Sequence, residues 1–129
     1  MQKIEHELVQ VIYDAIDSLN LQWDSLIVYA EVQQGSYLTE FYAKGAEGVY
    51  IKCFNLAGLQ EDKLDDVLDA IGDQVMEVWQ GLTAPDQWSN ITLCIQKDGS
   101  FKLEYDYTNL DEQAYSYHQK WKEKYLRTN

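Results

Sequence analysis

The sequence predicts an α+β fold, in which an antiparallel sheet of about five strands packs against three helices. Apolar residues recur every three or four positions in separate segments, as in amphipathic helices. Strand-like segments come in a group of three and a group of two, joined by short turns, which favours antiparallel hairpins. The predicted order is α-β-β-β-α-β-β-α. The 129 residues are expected to form one domain, 1–129, with a proper core.

The first half of the chain predicts one helix and a three-stranded meander. Residues 2–19 form the helix, because their apolar positions share one face, and Asn20 is a plausible stop. The apolar positions are Ile4, Leu8, Val11 or Ile12, Ala15 and Leu19. Strands are predicted over residues 23–33, 37–43 and 49–54, with turns at QQGS, 33–36, and KGAEG, 44–48.

The second half predicts a long helix, a hairpin and a last helix. Residues 60–82 carry an apolar stripe, and Pro85 lies just beyond its end, as expected for a helix stop. The stripe consists of Leu64, Leu68, Ile71, Val75, Val78 and Leu82. Strands follow over 89–96 and 101–107, with KDGS at 97–100 as the turn, and Thr108 or Asn109 can cap a helix over about 110–126.

The last predicted strand, FKLEYDY, alternates strictly, which indicates that one of its faces is buried. We expect its apolar face to fill the core and its charged face to meet solvent. The apolar face comprises Phe101, Leu103, Tyr105 and Tyr107, and the charged face comprises Lys102, Glu104 and Asp106.

The net charge of −12 limits the classes of partner. Nucleic acid and acidic membrane surfaces would be repelled, so neither is an expected partner, whereas a basic protein or a cation would be attracted. No apolar run is long enough to span a bilayer, and acids interrupt the N-terminal segment, so we expect a cytoplasmic protein without a signal peptide. Cys53 and Cys94 lie in apolar strand-like runs and are expected to be free, buried thiols.

Five acids form a stripe on the long helix, opposite its apolar face: Asp62, Asp66, Asp69, Asp73 and Glu77. Glu61 and Asp65 widen this stripe, and Lys63 is the only base in the segment. Like charges at this spacing destabilise a helix by roughly 0.2–0.5 kcal/mol per pair. Two interpretations are open: the acids keep the protein soluble, or they form a docking face for lysines and arginines.

An enzymatic function finds little support in the sequence. His6 and His118 lie at opposite chain ends without ligand-spaced partners, so neither a metal site nor a cofactor is predicted. Glu104 and Asp106 share a strand face and could act as an acid–base pair or hold a cation. A solvated strand face is the more common meaning of such a pair, so no catalytic residue is predicted.

Three motifs resemble the YezG-like family of bacterial immunity proteins, also described as antitoxins. Trp23-x5-Tyr29-Ala-Glu-Val32 is similar to the first strand of the family. Phe101-Lys-Leu-Glu-Tyr-Asp-Tyr107 is similar to its last strand, and Trp121-Lys-Glu-Lys-Tyr-Leu126 is similar to its ending. With the element order, the likeness covers nearly the whole chain.

The resemblance implies an immunity protein that binds and neutralises a cognate toxin domain, often a nuclease, in the cytoplasm. A basic nuclease cleft would suit a partner of charge −12. The acidic stripe is then one candidate toxin-binding surface, and the last strand with its turn is a second: Glu104, Asp106, Asp111 and Glu112. The basic segment Lys120 to Arg127 is expected to fold back on the acidic body. The alternatives are a non-catalytic adaptor for another basic protein and a carboxylate enzyme.

Overall fold

The computed structural model describes residues 2–33 and 35–126, with side chains from residue 5 onward. Three helices and five strands are present: α1 (Gln2–Asp17), β1 (Ser25–Gln33), β2 (Ser36–Lys44), β3 (Tyr50–Lys52), α2 (Glu61–Gln80), β4 (Asn90–Gln96), β5 (Phe101–Asp106) and α3 (Leu110–Tyr125). Short 3-10 turns occupy Cys53–Asn55 and Ala84–Asp86. This order confirms the predicted α+β class.

The strands form one antiparallel sheet in the order β3-β2-β1-β4-β5. Consecutive strands β1 to β3 make the predicted meander, and β4 and β5 make the predicted hairpin, which pairs with β1 through β4. In two of the predicted turns, Gly48 and Gly99 have positive φ angles of 79° and 92°, a conformation that glycine adopts without steric cost.

Alternation along each strand separates the two faces of the sheet. One face packs against α1 and α2 through apolar residues of the central strands, such as Val28 and its register partners Phe41 and Leu93. From the helices, this core receives Leu8, Ile12, Ile16, Leu64, Val67, Leu68, Ile71 and Val75. The other face packs against α3 through Ile27, Tyr29, Tyr42 and Trp121.

A glycine sets the approach of α2 to the sheet. Gly72 is buried in the middle of α2, and a methyl group at its Cα would overlap the ring of Tyr37 at the start of β2. The hydroxyl of Tyr37 donates a hydrogen bond of 3.2 Å to Asp73. The absence of a side chain at residue 72 therefore allows β2 to fix one flank of the helix.

Several predicted boundaries were too wide. Helix α1 ends at Asp17, and Asn20 lies beyond it with a φ angle of 57°. Strand β1 begins at Ser25, so Trp23 precedes it and packs edge-on against Tyr13. Helix α2 ends at Gln80, which leaves Leu82 outside it. The side chain of Ile4 and the residue Arg127 lie outside the described part of the chain.

The predicted strand over 49–54 is wrong at its end. Strand β3 spans only Tyr50–Lys52, and the chain then bends so that Cys53 is buried against the core. Cys94 lies in β4, on the face that α3 covers. Both thiols are free, as predicted, and burial raises the pKa of each.

The prediction that the aromatic residues of the last strand fill the core is also wrong. Leu103 packs against the core, but Phe101, Tyr105 and Tyr107 are 38%, 39% and 59% exposed. The reason is the position of β5, which is the outermost strand of the sheet. Alternation reports the side of the sheet on which a residue lies, and an edge strand can extend beyond the helices that cover that side.

Candidate partner-binding surfaces

The first candidate surface is the outward face of α2. All five acids of the predicted stripe are exposed: Asp62, Asp66, Asp69, Asp73 and Glu77. Residues three and four apart lie on one helix face, and the buried residues of α2 occupy the opposite face. We call these five residues the acidic stripe. Their exposure confirms the amphipathic assignment of this helix.

The acidic stripe has little local compensation. Within the described part of the chain, none of its five carboxylates forms an ion pair. Gln60 precedes the helix without a side-chain cap, so Glu61 and Asp62 are the charges that complement the dipole of the first turn. Burial and the charges of Asp73 and Asp69 raise the pKa of Tyr37. The remaining acids face solvent with their charge available to a partner.

The four acids of the second predicted surface fall into two pairs with different exposure. Glu104 and Asp106 lie on the side of β5 that faces α3, and both are only partly exposed. Glu104 accepts a hydrogen bond from the hydroxyl of Tyr125, and Asp106 accepts one of 2.8 Å from the backbone N–H of Thr108. The expectation of a solvated strand face is therefore wrong for these two carboxylates, because α3 folds over them.

The other two acids of that predicted surface are exposed. Asp111 and Glu112 lie in the first turn of α3, where negative charge complements the helix dipole. The side chain of Asn109 caps this helix and accepts a hydrogen bond of 3.0 Å from the N–H of Asp111, as predicted. The four acids therefore do not all present free carboxylates to a partner.

A cleft of about 330 Å³ separates α3 from β4 and β5. Glu104 and Asp106 line it together with Lys120 and Lys124, and no histidine or cysteine is among its described lining residues. The buried side chains beneath it are paired with α3: Asn90 accepts from Tyr117 at 2.8 Å, and Thr92 accepts from Trp121 at 2.8 Å. These bonds serve to attach α3 to the sheet.

The basic end of the chain folds back, but not through its charges. In the part of α3 that the structure describes, no lysine forms an ion pair. Besides the hydrogen bonds described above, this end packs on the sheet through aromatic contacts, in which Trp121 lies 5.0 Å from Tyr29 and 5.7 Å from Tyr42 between ring centroids. The described part of the basic segment therefore folds back on the sheet through aromatic packing and not through ion pairs of its lysines.

A partly buried acid under α3 was missed by the sequence reasoning. Glu31 of β1 accepts hydrogen bonds from the hydroxyl of Tyr29 at 2.7 Å and lies 2.8 Å from Nε2 of His118. Two features of the sequence could have predicted this pair. Glu31 is the single acid of an apolar strand, and His118 lies among aromatic residues of the last helix. His118 of α3 is therefore a partner of β1.

A second feature that the sequence reasoning missed is a groove of about 440 Å³ between α1, the end of α2 and the end of β5. Its apolar wall comprises Val78, Leu82, Trp88, Tyr105 and Tyr107. Its rim comprises Glu5, Glu7, Glu77 and Asp86. We call this feature the acidic groove. Its residues come from three distant parts of the chain, so no local motif announces it.

The described residues lack two kinds of feature. No helix among them has the length and apolar character that crossing a bilayer requires. The same residues contain no group of three or more histidine, cysteine, aspartate or glutamate side chains placed to hold a metal ion.

Comparison with known proteins assigns the family. The family model described as immunity protein YezG-like matches residues 1–128. The chain is also similar to the protein named immunity protein YezG of Bacillus spizizenii, at 24% identity over 95 residues. That match covers 69% of this chain and 59% of the relative, which is less than two thirds of the length of the relative. On the match to the family model, the chain belongs to the YezG-like family of immunity proteins.

Proposed function

We propose that this protein is a non-catalytic immunity protein that binds a cognate toxin domain in the cytoplasm and blocks it. We further propose that the toxin is basic, as expected of a nuclease that holds a phosphate backbone. Membership of the family supports the general role. The net charge of −12 supports the basic partner, because summed charge of opposite sign accelerates encounter.

The observation that carries the proposal is the acidic stripe. Its carboxylates are exposed and free of ion pairs in the described chain, and they cost α2 some stability through like-charge repulsion. Such an arrangement is explained when a partner supplies the positive charge. A toxin with a basic surface would be drawn to this face before any contact is made.

The second predicted surface is a weaker candidate on geometric grounds. Glu104 and Asp106 already accept internal hydrogen bonds, so a toxin would have to displace those bonds to use them. Asp111 and Glu112 remain available at the start of α3. We therefore favour the acidic stripe as the face that first meets the toxin.

Two other functions lead to different results in simple tests. An adaptor for another basic protein would use the same stripe but would not protect cells from a toxin domain. A carboxylate enzyme would hydrolyse RNA, DNA, esters or glycosides and would lose that activity on Glu104→Gln with Asp106→Asn. We expect no such hydrolysis from the purified protein, because both carboxylates already accept hydrogen bonds, Glu104 from Tyr125 of α3 and Asp106 from the backbone just before α3.

The proposal is tested by the association rate with the cognate toxin domain, at low and high salt. Replacement of Asp66, Asp69 and Asp73 by asparagine should slow association by roughly tenfold at low salt and flatten its salt dependence. The free energy of unfolding should stay the same or rise slightly, because repulsion within α2 is relieved. The comparison variant combines Glu104→Gln, Asp106→Asn and Asp111→Asn.

A third variant controls for net charge alone. Asp17→Asn, Glu47→Gln and Glu123→Gln remove three exposed charges outside both candidate surfaces. We expect this control to slow association less than the stripe variant. Equal rates for wild type and stripe variant would return the stripe to a solubility role, and greater damage from the β5 variant would move the docking face there.

A further inference from the structure

We propose that the acidic groove receives an arginine side chain of the toxin domain and anchors the complex there. This inference rests on the proposed function and extends it from a steering face to a binding pocket. Arginine combines an apolar stem with a planar charged group that binds carboxylates and stacks on aromatic rings. The acidic groove offers a partner for each of these parts.

The apolar wall is unusually exposed for residues on the core side of a sheet. Tyr107 follows β5 and is 59% exposed, and Tyr105 within β5 is 39% exposed. Behind them, the ring of Trp88 is buried and tilted against Tyr105, with 6.2 Å between ring centroids. Trp79 donates a hydrogen bond of 2.8 Å to the carbonyl of Trp88, which fixes that part of the backbone. The wall is therefore preformed.

The rim determines the charge of the occupant. Four carboxylates surround the opening, from α1, α2 and the turn before β4, and the described lining residues include no lysine or arginine. Burial, followed by the charge of Glu5, raises the pKa of Tyr105 to about 12, so part of this shift reflects like-charge repulsion within the groove. A cationic group would relieve this repulsion, whereas an apolar or acidic side chain would not.

A second copy of this chain is a poor occupant. Each copy carries a net charge of −12, so the self-association of two acidic rims would be opposed by repulsion. A basic toxin has the opposite sign and is already required by the proposed function. The complementary charge of the rim therefore selects the toxin among the available partners.

The acidic groove and the acidic stripe meet at Glu77, which belongs to both. This adjacency gives the two features separate kinetic roles. Exposed charge mainly sets how fast partners meet, whereas a desolvated aromatic pocket mainly sets how slowly they part. We expect variants of the groove wall to raise the dissociation rate and to leave the association rate nearly unchanged.

The test measures dissociation of the toxin complex for variants of the wall and of the rim. Tyr107→Ala should raise the dissociation rate by roughly tenfold, because it removes the exposed ring against which the arginine packs. Tyr115→Ala is the matched control, since Tyr115 is 79% exposed on α3 and does not line the groove. Glu7→Gln with Asp86→Asn removes two charges of the rim without altering the stripe. Asp17→Asn with Glu47→Gln removes two exposed charges elsewhere and is its matched control.

The occupant is identified by double-mutant cycles. Surface arginines of the toxin are replaced one at a time by alanine, and each is combined with Tyr107→Ala. One arginine should show non-additive coupling to Tyr107 and none to Tyr115. Coupling to no arginine, or equal dissociation for Tyr107→Ala and wild type, would overturn the inference while the proposed function stands. A wild-type protein that does not bind the toxin at all would overturn both.

Discussion

The two faces of the sheet are held by different kinds of interaction. The face under α1 and α2 is a large apolar core, mostly of aliphatic side chains, in which Phe41 and Leu93 are fully buried. The face under α3 is smaller and joins aromatic rings by hydrogen bonds to buried polar groups such as Asn90 and Thr92. Volume filling stabilises the first face, whereas specific pairs orient the helix on the second.

The largest effect is expected on the face under α1 and α2. Phe41→Ala removes a fully buried ring and should lower the free energy of unfolding by about 3–5 kcal/mol, because the cavity collapses only in part. Leu38→Ala is the matched control, since Leu38 lies in the same strand on the other face and is exposed. Denaturant unfolding checks both variants. A loss below about 1 kcal/mol for Phe41→Ala would show that this face is not the main core.

A smaller effect is expected where α2 touches β2. Gly72→Ala should lower the free energy of unfolding by about 1–3 kcal/mol, because the methyl group displaces the ring of Tyr37. In a Tyr37→Ala background the same change should instead stabilise the protein by up to about 1 kcal/mol, since alanine favours a helix over glycine. Thermal unfolding of the four proteins measures this reversal. Equal losses in both backgrounds would exclude steric overlap as the cause.

The face under α3 should respond to the loss of a single hydrogen bond. Trp121→Phe keeps the aromatic contacts but leaves the buried hydroxyl of Thr92 without its donor, at a cost of about 1–2 kcal/mol. Amide hydrogen exchange should then quicken in α3 more than in β1. Adding Thr92→Val should restore most of the lost stability, because neither partner then remains unsatisfied. If amide exchange quickened equally across the molecule, the two faces of the sheet would not be stabilised separately.

The sequence predicted the fold well because its signals are local. Periodicity along α2 and alternation along β4 each depend on a few consecutive residues, so element type and order followed directly. The exposure of the acidic stripe followed from the same periodicity. Strand β5 shows the limit of this reasoning. Its alternating pattern correctly predicted a strand, but the exposure of its aromatic residues follows from its place at the edge of the sheet, which only the strand order reveals.

The candidate surfaces were only partly predictable for the same physical reason. Asp66 and Asp69 share a helix, so one segment shows their common face. Glu31 and His118 are far apart in sequence and meet only because α3 crosses β1. The acidic groove likewise joins residues of α1, α2 and β5, whose association depends on tertiary packing. Sites whose residues come from several helices and strands can be identified only once the tertiary structure is known.

The smallest expected effect concerns Tyr117, which attaches α3 to β4 through its bond to Asn90. At neutral pH, Tyr117→Phe should lower the free energy of unfolding by about 1 kcal/mol, the typical value of one hydrogen bond. Burial, followed by the charge of Asp106, raises the pKa of Tyr117 to about 12 in the folded protein, against about 10 in an unfolded chain.

The sign of the pH dependence follows from that raised pKa. The folded state retains the proton of Tyr117 where the unfolded chain has lost it, so wild-type stability is fully present below about pH 10 and falls between about pH 10 and 12. The phenylalanine variant lacks this one contribution, and the gap between the two proteins should narrow across that window. Urea unfolding at several pH values from about 8 to 11.5 measures the gap, with the exposed Tyr115→Phe as a control that should track wild type throughout. A gap that stays constant or widens would show that the proton of Tyr117 does not help to hold α3 on the sheet.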